Sequence, residues 1–175
     1  NLRQISIAVR SYAESNSQWL PGEHAAIEDH GVNTSVETGR LWKAKVLRTK
    51  DIWLCPSDKR EYGTYSYSYT MNGRLGLKRD KDDSTSSKDN ISGSWEIEPR
   101  LITSFKIPSK AIVFAEENTG WLDGYKINDP RFTNNDITEP RHAGYSAAGY
   151  LDGHSEIIPA SVALWQDPKY WPNRQ

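Results

Sequence analysis

Leu2, Ile5, Ala8, Val9, Tyr12 and Ala13 succeed one another at steps of three and four, and this one apolar stripe limits the fold more than any other feature. A stripe of that period is an amphipathic helix over residues 1 to 15, and it needs something to cover it. The pattern stops at Ser15-Asn16-Ser17, and Pro21-Gly22 confirms the break.

Beyond that break come a short helix, long loops and several strands. Val36 to Leu47 reads as a short helix with Leu41, Trp42, Val46 and Leu47 inward, interrupted in propensity by Gly39. Thr64 to Met71 alternates at period two, which predicts a strand with one aromatic face of Tyr65, Tyr67 and Tyr69. Arg100 to Phe105 reads as a further strand, and Ala111 to Ala115 as a short buried one.

Tyr145 to Leu151 and His154 to Ile158 flank Asp152-Gly153, the signal of a hairpin with a type I′ turn. That turn would pair Leu151 with His154, Tyr150 with Ser155 and Ala148 with Ile157. Ala160 to Trp165 reads as a helical turn, and residues 22–35, 73–94 and 118–140 read as loops. One helix with antiparallel strands after it gives an α+β class, with the sheet covering the helix stripe, and 175 residues suit one domain spanning 1–175.

With 22 basic and 23 acidic residues the formal net charge is -1, so no overall field favours nucleic acid. Seven Trp and nine Tyr supply large burial units. The single cysteine, Cys55, can close no disulfide within the chain.

Several clusters invite a chemical reading. His142, Asp152 and His154 are close in sequence, but an extended strand between them would hold His142 and Asp152 roughly 25 to 30 Å apart, too far to share a metal ion. The bland alternative is an Asp capping a turn, with His154 at the strand edge and His142 bonding loop backbone. His24 and His30 are six apart, which does not match the one-turn spacing of a helical zinc pair.

Asn134, Asn135 and Asp136, with Glu139 nearby, offer oxygen ligands suited to calcium without the spacing of a calcium loop. No phosphate loop or nucleophile elbow is present. A metal-dependent hydrolase would require His24, His30, His142 and Asp136 to converge, and a sugar-binding module would use exposed Trp or Tyr, with Trp121 in the 118–140 loop.

Five stretches in order carry a resemblance: Asn1-Leu-Arg-Gln-Ile, Cys55-Pro56-Ser57-Asp58, Ser66-Tyr-Ser-Tyr-Thr-Met-Asn72, Ile107-Pro-Ser-Lys-Ala-Ile-Val-Phe-Ala115, and Arg141-His142, then nine intervening residues, then Asp152-Gly153-His154. Together they resemble the planctomycete-type prepilin-like, type II secretion pseudopilin-related proteins with an H-X9-DG processing-associated C-terminal domain. Glu116, where that family often has Asp, and Ser155, where it has an apolar residue, depart from the pattern.

The resemblance implies a pilin-like fold, one long helix packed on an antiparallel sheet, in a non-enzymatic structural subunit of a type II secretion or type IV pilus-like assembly. It implies about thirty further N-terminal residues with a leader cut by prepilin peptidase, an inner-membrane anchor and a periplasmic or extracellular head. Its partners would be other pilin or pseudopilin subunits, met through the N-terminal helix. It also implies a cysteine upstream of Asn1 that pairs with Cys55. Major pseudopilins bind calcium, but no position here matches their ligand motif. The alternative use of such a scaffold is a membrane-tethered carbohydrate- or ligand-binding module.

Overall fold

The computed structural model describes residues 1–22, 26–27, 35–59, 66–73, 75, 100–118, 131–132 and 136–160. The apolar stripe forms helix α1, Leu2–Ser15, which buries Leu2, Ile5, Ala8, Val9 and Ala13. It ends where Asn16 leaves helical geometry at φ -121° and its side-chain amide donates to the Tyr12 carbonyl at 2.7 Å. Ser17 and Gln18 then take positive φ, which turns the chain away.

The helix expected over Val36 to Leu47 is split. Val36–Thr38 is a single 3-10 turn capped by Ser35, Gly39 is extended, and α2 spans Arg40–Lys43. A Cβ on Gly39 would lie 2.2 Å from the Ile27 carbonyl oxygen, so the close approach of another backbone requires glycine there. A second 3-10 turn, Lys50–Trp53, delivers Trp53 to the core, edge-on to Phe114 with ring centroids 5.9 Å apart.

The described residues also form six strands: β1 Tyr69–Asn72, β2 Ile112–Asn118, β3 Arg131–Phe132, β4 Ile137–Thr138, β5 Tyr145–Tyr150 and β6 Ser155–Pro159. They make one sheet in the order β3-β1-β2-β5-β6, with β4 added to the end of β2. Every pairing is antiparallel except the short β1 to β3 contact. The architecture is α+β: α1 lies on one face over β5, and Leu2, Ile5, Val9, Tyr67, Tyr69, Met71, Phe114 and Leu151 belong to one core cluster. A smaller cluster of Ile112, Ala115, Phe132, Ala148, Tyr150 and Ile158 forms separately from it.

The loop expected over 118–140 holds the short strands β3 and β4, and three further expectations need correction. The Tyr-rich strand begins at Tyr69, and Ser68 and Thr70 are as fully buried as Tyr67, so it has no solvent face; Tyr65 lies outside the described residues. Arg100 to Phe105 is no strand, because only Leu101 makes a bridge, to Trp19, before Ile102–Ser104 winds into a 3-10 turn. The expected Ala111 to Ala115 strand is fully buried and, from Ile112 on, forms the first part of β2. The turn expected over Ala160 to Trp165 lies, from residue 161, outside the described residues.

The third correction is the hairpin register. β5 and β6 pair Gly149 with Ser155, Ala148 with Glu156 and Ala147 with Ile157. The loop holds three residues: Gly153 N donates to Tyr150 O at 2.9 Å and, of the two turn residues, only Gly153 takes positive φ, at 96°. That is the type I turn closed by a left-handed glycine, in place of type I′. Shifting the register by one residue exchanges the faces, so Ile158 is buried and Ile157 is 57% exposed.

Candidate functional site

The first and last motifs of the chain meet. Cys55 comes just after the Lys50–Trp53 turn, and the Cys-Pro-Ser-Asp segment folds back on itself as Asp58 N donates to Cys55 O at 2.9 Å. Ser68, just before β1, holds that turn in place. Its hydroxyl accepts from Cys55 N at 2.9 Å and donates to Asp58 Oδ2 at 2.7 Å. Pro56 and Ser57 are the exposed tip of the turn.

Arg141 enters this cluster from the opposite end of the sequence. Its guanidinium, 3% exposed, lies 3.3 Å from Asp58 Oδ2 and 3.7 Å from Glu116 Oε1, and it donates to Ser68 O at 3.2 Å. His142 is set by a tight turn in which His142 N and Tyr145 N donate to each other's carbonyl oxygens. The two residues between, Ala143 and Gly144, have φ of 52° and 90°. Both positive values define the type I′ turn, found here instead of at Asp152-Gly153. Ala143 is strained there, whereas Asn visits that region readily. Ala143→Asn is expected to raise the unfolding free energy by about 0.5–1 kcal/mol, measured by chemical denaturation.

From that turn His142 Nε2 reaches both oxygens of Glu116, at 3.1 and 3.2 Å, and the Cys55 sulfur at 3.6 Å. Glu116 comes from β2 and is wholly buried; its Oε2 also accepts from Ala147 N at 2.9 Å. Burial pushes the Cys55 thiol above its usual range, and the Glu116 carboxylate pushes it further. Burial likewise raises the Tyr69 phenol, which hydrogen-bonds the Cys55 thiol.

The arrangement lacks the plan of a nucleophilic triad. In that plan one ring nitrogen faces the nucleophile and the other faces the acid. Here Nε2 faces both. Among the described residues, Cys55, Glu116 and His142 are the one group of three metal-capable side chains, with ligand atoms all within 4.8 Å of one another. Charge, burial and several short contacts instead make the cluster a tie between the Cys55 loop, the central strand and the start of β5.

Asp152, Gly153 and His154 lie at the far end of β5 and take no part in this cluster. Asp152 Oδ1 accepts from His154 N at 3.1 Å and meets His154 Nδ1 at 2.5 Å, while the His154 ring stacks on Tyr150. Arg10 of α1 donates to Asp152 O at 2.8 Å, so the turn is bonded to the helix. Partial burial alone would raise the Asp152 carboxyl, but the His154 backbone and ring outweigh it and hold it below its ordinary value of 3.8.

A depressed folded-state value stabilises above the unfolded one and is lost as pH falls through the folded one. Asp152→Asn is therefore expected to destabilise by about 0.5–1 kcal/mol near neutrality, screened because the pair is partly exposed. The gap from the parent protein should close below about pH 4, measured by denaturation at several pH values.

Glu116 is a site residue that the sequence reading misses, although two acids directly after a buried apolar run signal a charge carried inward. Among the calcium candidates, Asn134 and Asn135 lie outside the described residues, and Asp136 is buried just before β4. His24, His30 and Trp121 also lie outside the described residues, and with them the hydrolase and sugar-binding constellations. The chain matches no family model, no curated protein and no solved structure.

Proposed function

We propose that the protein is a non-enzymatic, pilin-like structural subunit of a type II secretion or type IV pilus-like assembly, joined to its neighbours through α1. One observation carries this reading: the motif side chains tie the helix, the loop and the sheet of this chain to one another. Arg141 holds Asp58, Arg10 holds the Asp152 turn, and the Asn1 amide donates to Leu54 O at 2.7 Å beside Cys55. Such ties make a rigid head that presents one face of α1.

That face carries Arg3, Gln4, Ile7, Arg10 and Glu14, with Ile7 47% exposed among charged and polar neighbours. A repeated helix-to-neighbour contact of this kind is heterologous and builds a filament when its rotation does not close. In this reading the head is periplasmic or extracellular, the anchor is in the inner membrane, and prepilin peptidase processes the precursor. No helix among the described residues is long and apolar enough to cross a membrane.

The test is a photo-crosslinking amino acid placed at Ile7 in the full-length protein, expressed in its own host. A ladder of adducts at multiples of the subunit mass, or adducts with other pilin-like subunits, is the expected result. Adducts confined to the monomer would overturn the assignment.

A further inference from the structure

We propose that Cys55, Glu116 and His142 form a zinc site that clasps the Cys55 loop, β2 and the start of β5 together. Zinc takes thiolate, imidazole and carboxylate ligands at about 2.3, 2.0–2.1 and 2.0–2.2 Å in tetrahedral geometry. Two ligands around such an ion are therefore about 3.6 Å apart for sulfur and nitrogen, and about 3.4 Å for nitrogen and oxygen. The observed separations are 3.6 Å from Cys55 Sγ to His142 Nε2 and 3.1 Å from His142 Nε2 to Glu116 Oε2. Those two edges lie within about 0.3 Å of a zinc tetrahedron, and the third, from Cys55 Sγ to Glu116, lies within 4.8 Å and would close to about 3.6 Å on binding.

The donor set also argues for this ion. A mixed thiolate, imidazole and carboxylate set suits zinc, whereas calcium and magnesium prefer oxygen alone. Glu116 is wholly buried, and the guanidinium of Arg141 lies nearer to Asp58 than to it. His142 Nε2, at 3.1 Å, stands nearer to the Glu116 carboxylate than the guanidinium does at 3.7 Å, so an ion held between Nε2 and Glu116 would be its closest cation. The ligands are themselves held in place, since Ala147 N donates to Glu116 Oε2 and Ser68 Oγ accepts from Cys55 N.

Binding replaces the thiol proton, which passes to solvent, so the sulfur binds as thiolate and no oxidation occurs. With three protein ligands, the fourth is solvent, which reaches the group past His142, 31% exposed. The site needs Cys55 as a free thiol, as it stands here, and so excludes the Cys55 disulfide that the resemblance implies; the Ile7 crosslinks test the assembly reading separately.

The test uses the purified protein, stripped with a chelator under reducing conditions and titrated with Co2+ and then Zn2+. Because Cys55 is the one cysteine of the chain, a thiolate-to-cobalt charge-transfer band assigns the metal to this site and to no surface histidine. We expect that band at one equivalent, its loss on adding Zn2+, and a rise in Tm with Zn2+. Cys55→Ser should abolish the band and weaken zinc binding at least tenfold, and His142→Gln should weaken it likewise. A folded parent protein that gives no thiolate band and binds no stoichiometric Zn2+ would overturn the proposal. Those two readings on the parent protein decide the matter even if a variant does not fold.

Discussion

Arg141→Met is expected to lower the unfolding free energy by about 3–5 kcal/mol, the cost of removing one partner from a buried ion pair. The side chains of Arg141, Asp58 and Glu116 are 3%, 4% and 0% exposed, so the carboxylates that lose the guanidinium gain little from water in return. Against a total stability of about 5–15 kcal/mol for a domain, the variant should sit near the limit of folding. Urea denaturation measures it. Adding Asp58→Asn to Arg141→Met should recover part of the loss, because an amide keeps an acceptor for Ser68 without a buried negative charge. A loss below about 1 kcal/mol would mean that the cluster behaves as a screened surface pair, and the clasp would have no energetic basis.

The second large effect is expected at the helix-to-sheet contact. A Cβ on Gly149 of β5 would lie 2.4 Å from Ser6 Oγ and 3.3 Å from the Leu2 carbonyl oxygen. Gly149→Ala should therefore destabilise by about 1–3 kcal/mol through overpacking. The Ser6 hydroxyl is buried without a hydrogen-bond partner, so Ser6→Ala should be neutral or mildly stabilising. In the Ser6→Ala background the cost of Gly149→Ala should fall by about 1 kcal/mol, since the nearest obstacle is gone. Additive effects of the two changes would place the strain somewhere other than between α1 and β5.

The local elements are largely legible in the sequence, because each is written in the spacing of its own residues. The α1 stripe, the buried run in β2 and the hairpin at Asp152-Gly153 need no distant partner to be found. The errors occur where two turn chemistries compete or a distant backbone intrudes. Asp152-Gly153 has the composition of a type I′ turn, yet that turn occurs at Ala143-Gly144, a pair that carries only half the signal. Gly39 splits a helix because Ile27, twelve residues away, passes against it.

The candidate site is legible only in its ingredients. Cys-Pro-Ser-Asp and Arg-His each stand out, but their meeting across more than eighty residues does not. Glu116 shows why. β2 shifts register between Ile112 and Phe114, and this bulge puts Val113 and Phe114 in succession into the helix-side cluster. Counting on from Phe114, Glu116 falls on the side of Cys55 and His142; strict alternation from Ile112 would have turned it the other way.

The amphipathic helix, the buried strand, the existence of the last hairpin and the α+β class all arise from periodicity and turn composition within a few residues. The hairpin register, the split at Gly39 and the meeting of Cys55, Asp58, Glu116, Arg141 and His142 do not. Those depend on which side of a strand a residue faces once a bulge and a three-residue loop have each shifted the count by one, and that shift is fixed by packing against distant parts of the chain.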